Sequence, residues 1–171
     1  MRAAALLALG GAALLASGCT LRPLYAGGGR GGVATALRSV TVAPIPGQAG
    51  YLIRGALVER LGGGGGGESA RFRLEVELDD RITGFGIRLD DAVTRERRTL
   101  RARYRLVDAR VGTVLLDATA GSDAGVDVVG SEYATVAAEQ TALERLSQVV
   151  AEQIVSRIAL FVTRSPSPRQ P

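Results

Sequence analysis

Apolar and polar residues alternate with two different periods along this chain, and the switch between them divides it into elements. Leu37 to Ala43 leans toward β-branched residues and stops at Pro44 and Pro46, which predicts a first strand. From Gly47 to Leu61 the apolar positions Ile53, Ala56, Leu57 and Leu61 recur at steps of three and four, with Arg54, Glu59 and Arg60 off the stripe; this is the pattern of an amphipathic helix. It ends at six consecutive glycines, Gly62 to Gly67. Arg71 to Asp79 then alternates: Phe72, Leu74, Val76 and Leu78 share one side, and Arg71, Arg73, Glu75, Glu77 and Asp79 the other. Period two with one apolar face is the pattern of a half-buried antiparallel strand. Arg95 to Asp108 repeats it, with Leu100, Ala102, Tyr104 and Leu106 opposite Arg95, Arg97, Arg101, Arg103 and Arg105. A fourth strand is predicted over Val111 to Ala120 after a tight turn at Ala109–Gly112.

At Ser131, a suitable helix N-cap, the period lengthens again. Leu143, Leu146, Val150, Ile154, Ile158 and Phe161 mark one stripe of a helix about 30 residues long, the 3.6-residue period holding to the end of the apolar pattern. The stripe is expected to cover the sheet, since a sheet with one apolar face needs a second layer. The predicted order is β-α-β-β-β-α. The fold class is α+β: a two-layer α/β sandwich, a four-stranded mostly antiparallel sheet with both helices on one face. Residues 37–163 form the predicted domain, and 164–171, with three prolines, a disordered tail.

The segment before the domain has another character. Arg2 precedes an apolar run from Ala3, and Leu15-Ala16-Ser17-Gly18 places small residues directly before Cys19. A basic start, a short apolar stretch and small residues at the cut describe a secretory signal over 1–18; the run is too short to span a bilayer, which takes about 20 apolar residues. The small residues before a cysteine resemble the lipobox of bacterial lipoproteins, in which the cysteine is acylated. Ala16 departs from it, standing where leucine is usual. Acyl chains contribute roughly 0.8 kcal/mol per buried CH₂ and two or more anchor stably, so Cys19 is expected to hold the chain on a membrane through a glycine-rich tether, residues 19–36. The resemblance, with no Asp directly after Cys19, is compatible with delivery to the outer membrane.

Composition narrows the chemistry. The 21 basic residues are all arginine, and the chain has no lysine and no histidine. Cys19 is its one cysteine, so there is no disulfide and no Ser-His-Asp triad, Ser-Lys dyad or His/Cys metal centre. The glycine run lacks the Gly-Lys-[Ser/Thr] ending of a phosphate-binding loop. Asp79-Asp80 and Asp90-Asp91 bracket one expected loop, and Asp117, Asp123 and Asp127 punctuate another; neither set has calcium-loop spacing. No metal, no cofactor, no catalytic residue and no nucleic-acid partner is predicted, a formal charge of +4 being too small for the last.

The arginine face of the third strand is the better lead. Its five arginines outnumber Glu75, Glu77 and Asp79, with which they are expected to pair across strands. Two readings stay open: a solvated face of ion pairs, or a surface that holds anionic lipid or an acidic partner. Arg81, Arg88, Arg101 and Arg103 are the candidate contacts for lipid phosphates or a barrel wall, and the expected loop Arg81–Leu89 mixes arginine with apolar groups as a partner contact does.

Cys19 with Arg22-Pro23-Leu24-Tyr25, the run Ala102-Arg103-Tyr104-Arg105-Leu106-Val107-Asp108 and Ser131-Glu132-Tyr133-Ala134 together resemble the LptE family of lipopolysaccharide-assembly lipoproteins in its alphaproteobacterial form. Thr20 and the glycine tracts depart from that pattern. The resemblance implies a non-enzymatic outer-membrane lipoprotein that partners the β-barrel translocon LptD, assists its assembly, and helps to deliver lipopolysaccharide. An auxiliary lipoprotein of an envelope ABC transporter, or an activator of a cell-wall synthase, is the alternative of another class.

Overall fold

The computed structural model describes residues 31–63, 70–87 and 93–164. Cys19, Arg88, the signal and most of the tether lie outside these residues, as do Gly64–Gly67 and 165–171.

The elements in order are α1 (Gly32–Arg38), β1 (Val40–Val42), α2 (Gly47–Arg60), β2 (Phe72–Ile87), β3 (Val93–Asp108), β4 (Val114–Asp127) and α3 (Glu132–Arg164). The sheet order follows the chain, β1-β2-β3-β4. β1 runs parallel to β2, reached through α2, and the other two pairings are antiparallel. The α+β class, the four-stranded mostly antiparallel sheet and the helices on one face are all as the periodicity predicts.

Three boundaries differ. A short helix, α1, takes up Leu37 and Arg38, so β1 begins only at Val40; it starts within the stretch expected as tether. β2 continues through the expected loop to Ile87, and β4 continues from Ala120 to Asp127. Gly84 and Gly86 in the first case, and Gly121 and Gly125 in the second, imitate turn signals. The extension of β2 is also exposed on both faces from Asp79 to Gly86, so no alternation is imposed on it.

The even-numbered residues of β2 and β3 and the buried side of α3 make one core. Leu74, Leu100, Tyr104 and Leu106 meet Leu143, Val150, Ile154 and Ile158, all at most 2% exposed. Fully burying one such side chain stabilises by about 1.5–3 kcal/mol, which explains why α3 follows its apolar stripe. α2 adds Ile53, Ala56 and Leu57. Its start is pressed close to the preceding turn: a Cβ on Gly50 would fall 2.5 Å from the Ile45 carbonyl oxygen. The β3–β4 turn closes through Gly112 (φ 73°), whose amide donates to the Asp108 carbonyl at 2.9 Å.

The sheet edges are unequal. β1 covers β2 only at Phe72–Leu74, and among the described residues no strand pairs with β2 beyond it on that side. On the outer edge of β4, the Gln153 side chain of α3 accepts from the Gly121 amide at 3.0 Å and donates to its carbonyl at 3.4 Å, standing in for one rung of a missing strand.

Candidate functional site

The odd-numbered side chains of β2, β3 and β4 point away from the helices and form the open face. Register aligns them in rows across the three strands: Glu75, Arg105 and Asp117; Glu77, Arg103 and Thr119; Asp79, Arg101 and Gly121; Arg81, Thr99 and Asp123; Phe85, Arg95 and Asp127. Arg101 and Arg103 run diagonally between rows, whereas Arg95 pairs within its own. Arg103 reaches Asp117 with two nitrogens (3.2 and 2.9 Å), and Arg101 reaches both oxygens of Asp123 at 3.3 Å. Arg95 donates to Asp127 at 3.0 Å, and Arg105 lies between Glu75 at 3.6 Å and Glu77 at 3.2 Å. Arg81 and Arg73 pair within β2, with Asp79 and Glu75.

Gly121 is what lets Arg101 cross β4, because a Cβ there would sit 2.5 Å from the Arg101 Cδ. Arg97 faces solvent with its guanidinium 5.3 Å above the Phe85 ring, a cation–π arrangement. A shallow depression of about 460 Å³ lies at the centre of the face, between Glu77, Asp79, Arg101, Arg103 and Thr119.

The pairing changes the electrostatic expectation. Asp117, Asp123 and Asp127 are strand residues on β4, not loop residues, and they supply the carboxylates that β2 alone cannot. Arg73, Arg81, Arg95, Arg97, Arg101, Arg103 and Arg105 are opposed by six carboxylates, leaving an excess of one positive charge. The hydrogen bonds from Arg103 hold the Asp117 carboxyl below the ordinary carboxylate range, and those from Thr99 and then Arg101 do the same for Asp123. All these groups are exposed, so the pairs add little to stability. What they do is align the guanidinium forks in an ordered array. Each fork retains donors and can trade its carboxylate for another carboxylate or a phosphate.

Of the candidate contacts, Arg81, Arg101 and Arg103 are therefore brought together on one exposed face, each already holding an aspartate; Arg88 lies outside the described residues.

A second polar cluster lies on the opposite, helix-covered side, where the alternation of β3 breaks at Glu96-Arg97-Arg98. Arg98 and Asp80 form a two-point pair (2.9 and 2.6 Å), and Arg98 also donates to the Glu139 carbonyl of α3 at 2.9 Å. The Asp80 carboxylate raises the Arg98 pKa against the opposing effect of burial. Glu96 lies beside it with Oε2 buried and unpartnered. Sequence reasoning missed this cluster; the signal available was two charged residues, Glu96 and Arg98, at apolar parity beside the doubled acid Asp79-Asp80. Among the described residues no group of three or more acidic, histidine or cysteine side chains is placed to hold a metal.

A mostly antiparallel meander begun by a parallel βα unit, its open face ion-paired and its other face closed by one long helix, defines a small binding or assembly domain with no assembled catalytic constellation among the described residues. Solved structures of other bacterial lipoproteins share the fold. A lipoprotein of Caulobacter crescentus is 23% identical with a TM-score of 0.68, covering 78% of this chain and 98% of its own. A minor lipoprotein of Acinetobacter baumannii is 16% identical with a TM-score of 0.60 over the same shares. The rare lipoprotein B of Shewanella oneidensis is 10% identical with a TM-score of 0.55, covering 71% and 92%. No curated protein sequence matches significantly. The profile of the LptE family, described as lipopolysaccharide-assembly, matches residues 37–158, and the chain belongs to that family.

Proposed function

We propose that the chain is an outer-membrane lipoprotein, anchored on the periplasmic side through acylated Cys19, that partners the β-barrel translocon LptD, assists its assembly and helps deliver lipopolysaccharide to the cell surface. The observation that carries this reading is the family match over residues 37–158. The lipoprotein names of the structurally similar Caulobacter and Acinetobacter proteins support the anchor.

The open face suits the partner on physical grounds. The interior of an outer-membrane barrel is polar, so a domain lodged against it needs a surface that can exchange ion pairs without stranding a charge. A face with nearly balanced arginines and carboxylates meets that need better than a purely basic one. Arg81, Arg101 and Arg103, with Arg88 beyond the described residues, are the proposed contacts for the barrel wall or for lipid phosphates.

Affinity purification of the full chain from detergent-solubilised membranes tests the partner: a β-barrel translocon should co-purify, whereas recovery of a permease or a cell-wall synthase in its place overturns the reading. The double substitution Arg101→Glu with Arg103→Glu should reduce barrel recovery several-fold while the circular dichroism melt stays near wild type. Undiminished recovery would leave this face as solvated ion pairs.

A further inference from the structure

Glu96 presents a problem that the ion-paired face does not. It sits on the helix side of β3, half-buried, and its Oε2 is closed off from solvent with no hydrogen-bond partner. A buried acceptor left unsatisfied costs about 1–3 kcal/mol, so an orphan here calls for an account. The neighbouring cation does not provide one, because Arg98 is already engaged by both Asp80 oxygens and by the Glu139 carbonyl.

The acid that α3 brings here is Glu139, whose main-chain carbonyl accepts from Arg98, two residues along the same face of β3, and whose carboxyl acts on Glu96. Two carboxylates cannot donate to each other. One carboxylic acid and one carboxylate can, through an O–H···O bond that satisfies the orphan and removes the repulsion. We propose that Glu96 carries a proton and donates it to the Glu139 carboxyl, and that this proton is a latch holding the first turns of α3 on the β2–β3 hairpin. The remaining polar neighbours fit a local device. β2 contributes Asp80, already paired; β4 presents Ala124 and Val126 on this side and no charge; α2 contributes uncharged Gln48, bonded to Gln140, which in turn donates to Glu144.

The sign follows from the environment. Burial first, then the Glu139 hydrogen bond and charge, raise Glu96 above the ordinary 4.5, so the folded state holds this proton more tightly than the unfolded chain does. The stability that it contributes is present at and below 4.5, falls as pH rises through the raised Glu96 value, and is flat beyond. The chain has no histidine, the residue that normally titrates near neutrality. The raised Glu96 carboxyl gives the protein a pH response opposite in sign to that of Asp117 and Asp123, whose values are lowered. The latch fastens the end of the domain where β2 and β3 extend as an exposed hairpin.

Hydrogen exchange of the full chain, read as protection factors for the amides of residues 135–143 between pH 4.5 and 8, tests the proposal. Wild-type protection should fall with rising pH, tenfold for each unit by which the Glu96 pKa is raised. In Glu96→Gln the amide donates permanently to Glu139, so protection should stay at the acid-state level at every pH. Wild-type protection indifferent to pH, or an equal fall in Glu96→Gln, overturns the latch. Should that variant fail to fold, the carboxyl ¹³C titration of Glu96 in unaltered protein decides: a midpoint above 4.5 supports the latch, and one at 4.5 refutes it.

Discussion

Replacing Arg98 by methionine separates the two kinds of arginine in this domain. Methionine keeps the volume of the stem against α3 but removes the charge and three hydrogen bonds, at 2.9, 2.6 and 2.9 Å. The side chains of the pair are 11% and 24% exposed, and breaking a fully buried pair costs about 3–5 kcal/mol. Asp80 can recover some water once its partner is gone, which brings the expected loss down to about 2–3 kcal/mol. At about 3–4 °C per kcal/mol for a domain of this size, melting should fall by roughly 6–12 °C, followed by circular dichroism at 222 nm. The control is Arg103→Met on the open face. It breaks a pair of similar two-point geometry, but its side chains are 61% and 40% exposed, and the melt should stay where it is. A cycle with Asp80→Asn completes the experiment, since a strong coupling must disappear when both partners are absent. Equal shifts for Arg98→Met and Arg103→Met, or no coupling to Asp80, would refute the claim that burial rather than geometry gives an arginine pair its worth here.

Two further outcomes follow from the packing and charge. Ile154→Ala should destabilise by about 2–5 kcal/mol in urea unfolding, because the removed atoms leave a hole between α3 and the sheet where Ile154 is fully buried; a loss under 1 kcal/mol would mean that α3 is not the cover of the core. Asp117 and Asp123 have folded pKa values lowered from 3.8, so the stability they contribute is present above 3.8 and lost as pH falls through their lower folded values. The carboxyl ¹³C titrations of Asp117 and Asp123 should therefore have midpoints below 3.8 in the wild type, and these should rise in Arg101→Gln with Arg103→Gln; unchanged midpoints would refute the assignment of the shifts to these arginines.

What could be read from the sequence was whatever burial writes into it. Leu74, Tyr104, Leu146 and Ile154 lie where their periods place them because each of those faces is dry. Two of the three motifs behind the family resemblance lie in β3 and at the start of α3; the third, Cys19 with Arg22-Pro23-Leu24-Tyr25, lies outside the described residues. The distal half of β2 left no such trace: Ile82 and Phe85 point to opposite faces and both are exposed. β4 beyond Ala120 is buried under α3 by small residues, Ala124 and Val126, too slight to outweigh two glycines. The charge balance of the open face depended on that misread half of β4, since Asp123 and Asp127 oppose arginines only once they are strand residues. Glu96 and Arg98 were illegible for the reverse reason, as their meaning comes from a helix some forty residues away.

The unpaired outer edge of β2 bears on how the protein avoids its own copies. A row of free amides and carbonyls along an extended strand is a template for another strand, and edge-to-edge joining is a common start of aggregation. Glu77, Asp79, Asp80 and Arg81 stand in succession on this edge apart from Leu78, and any second copy laid against it would have to bring its own charges into register and shed their water. Along this edge Glu77, Asp79 and Arg81, whose exposed charges add little to the stability of the folded domain, are a guard against fibrous self-association.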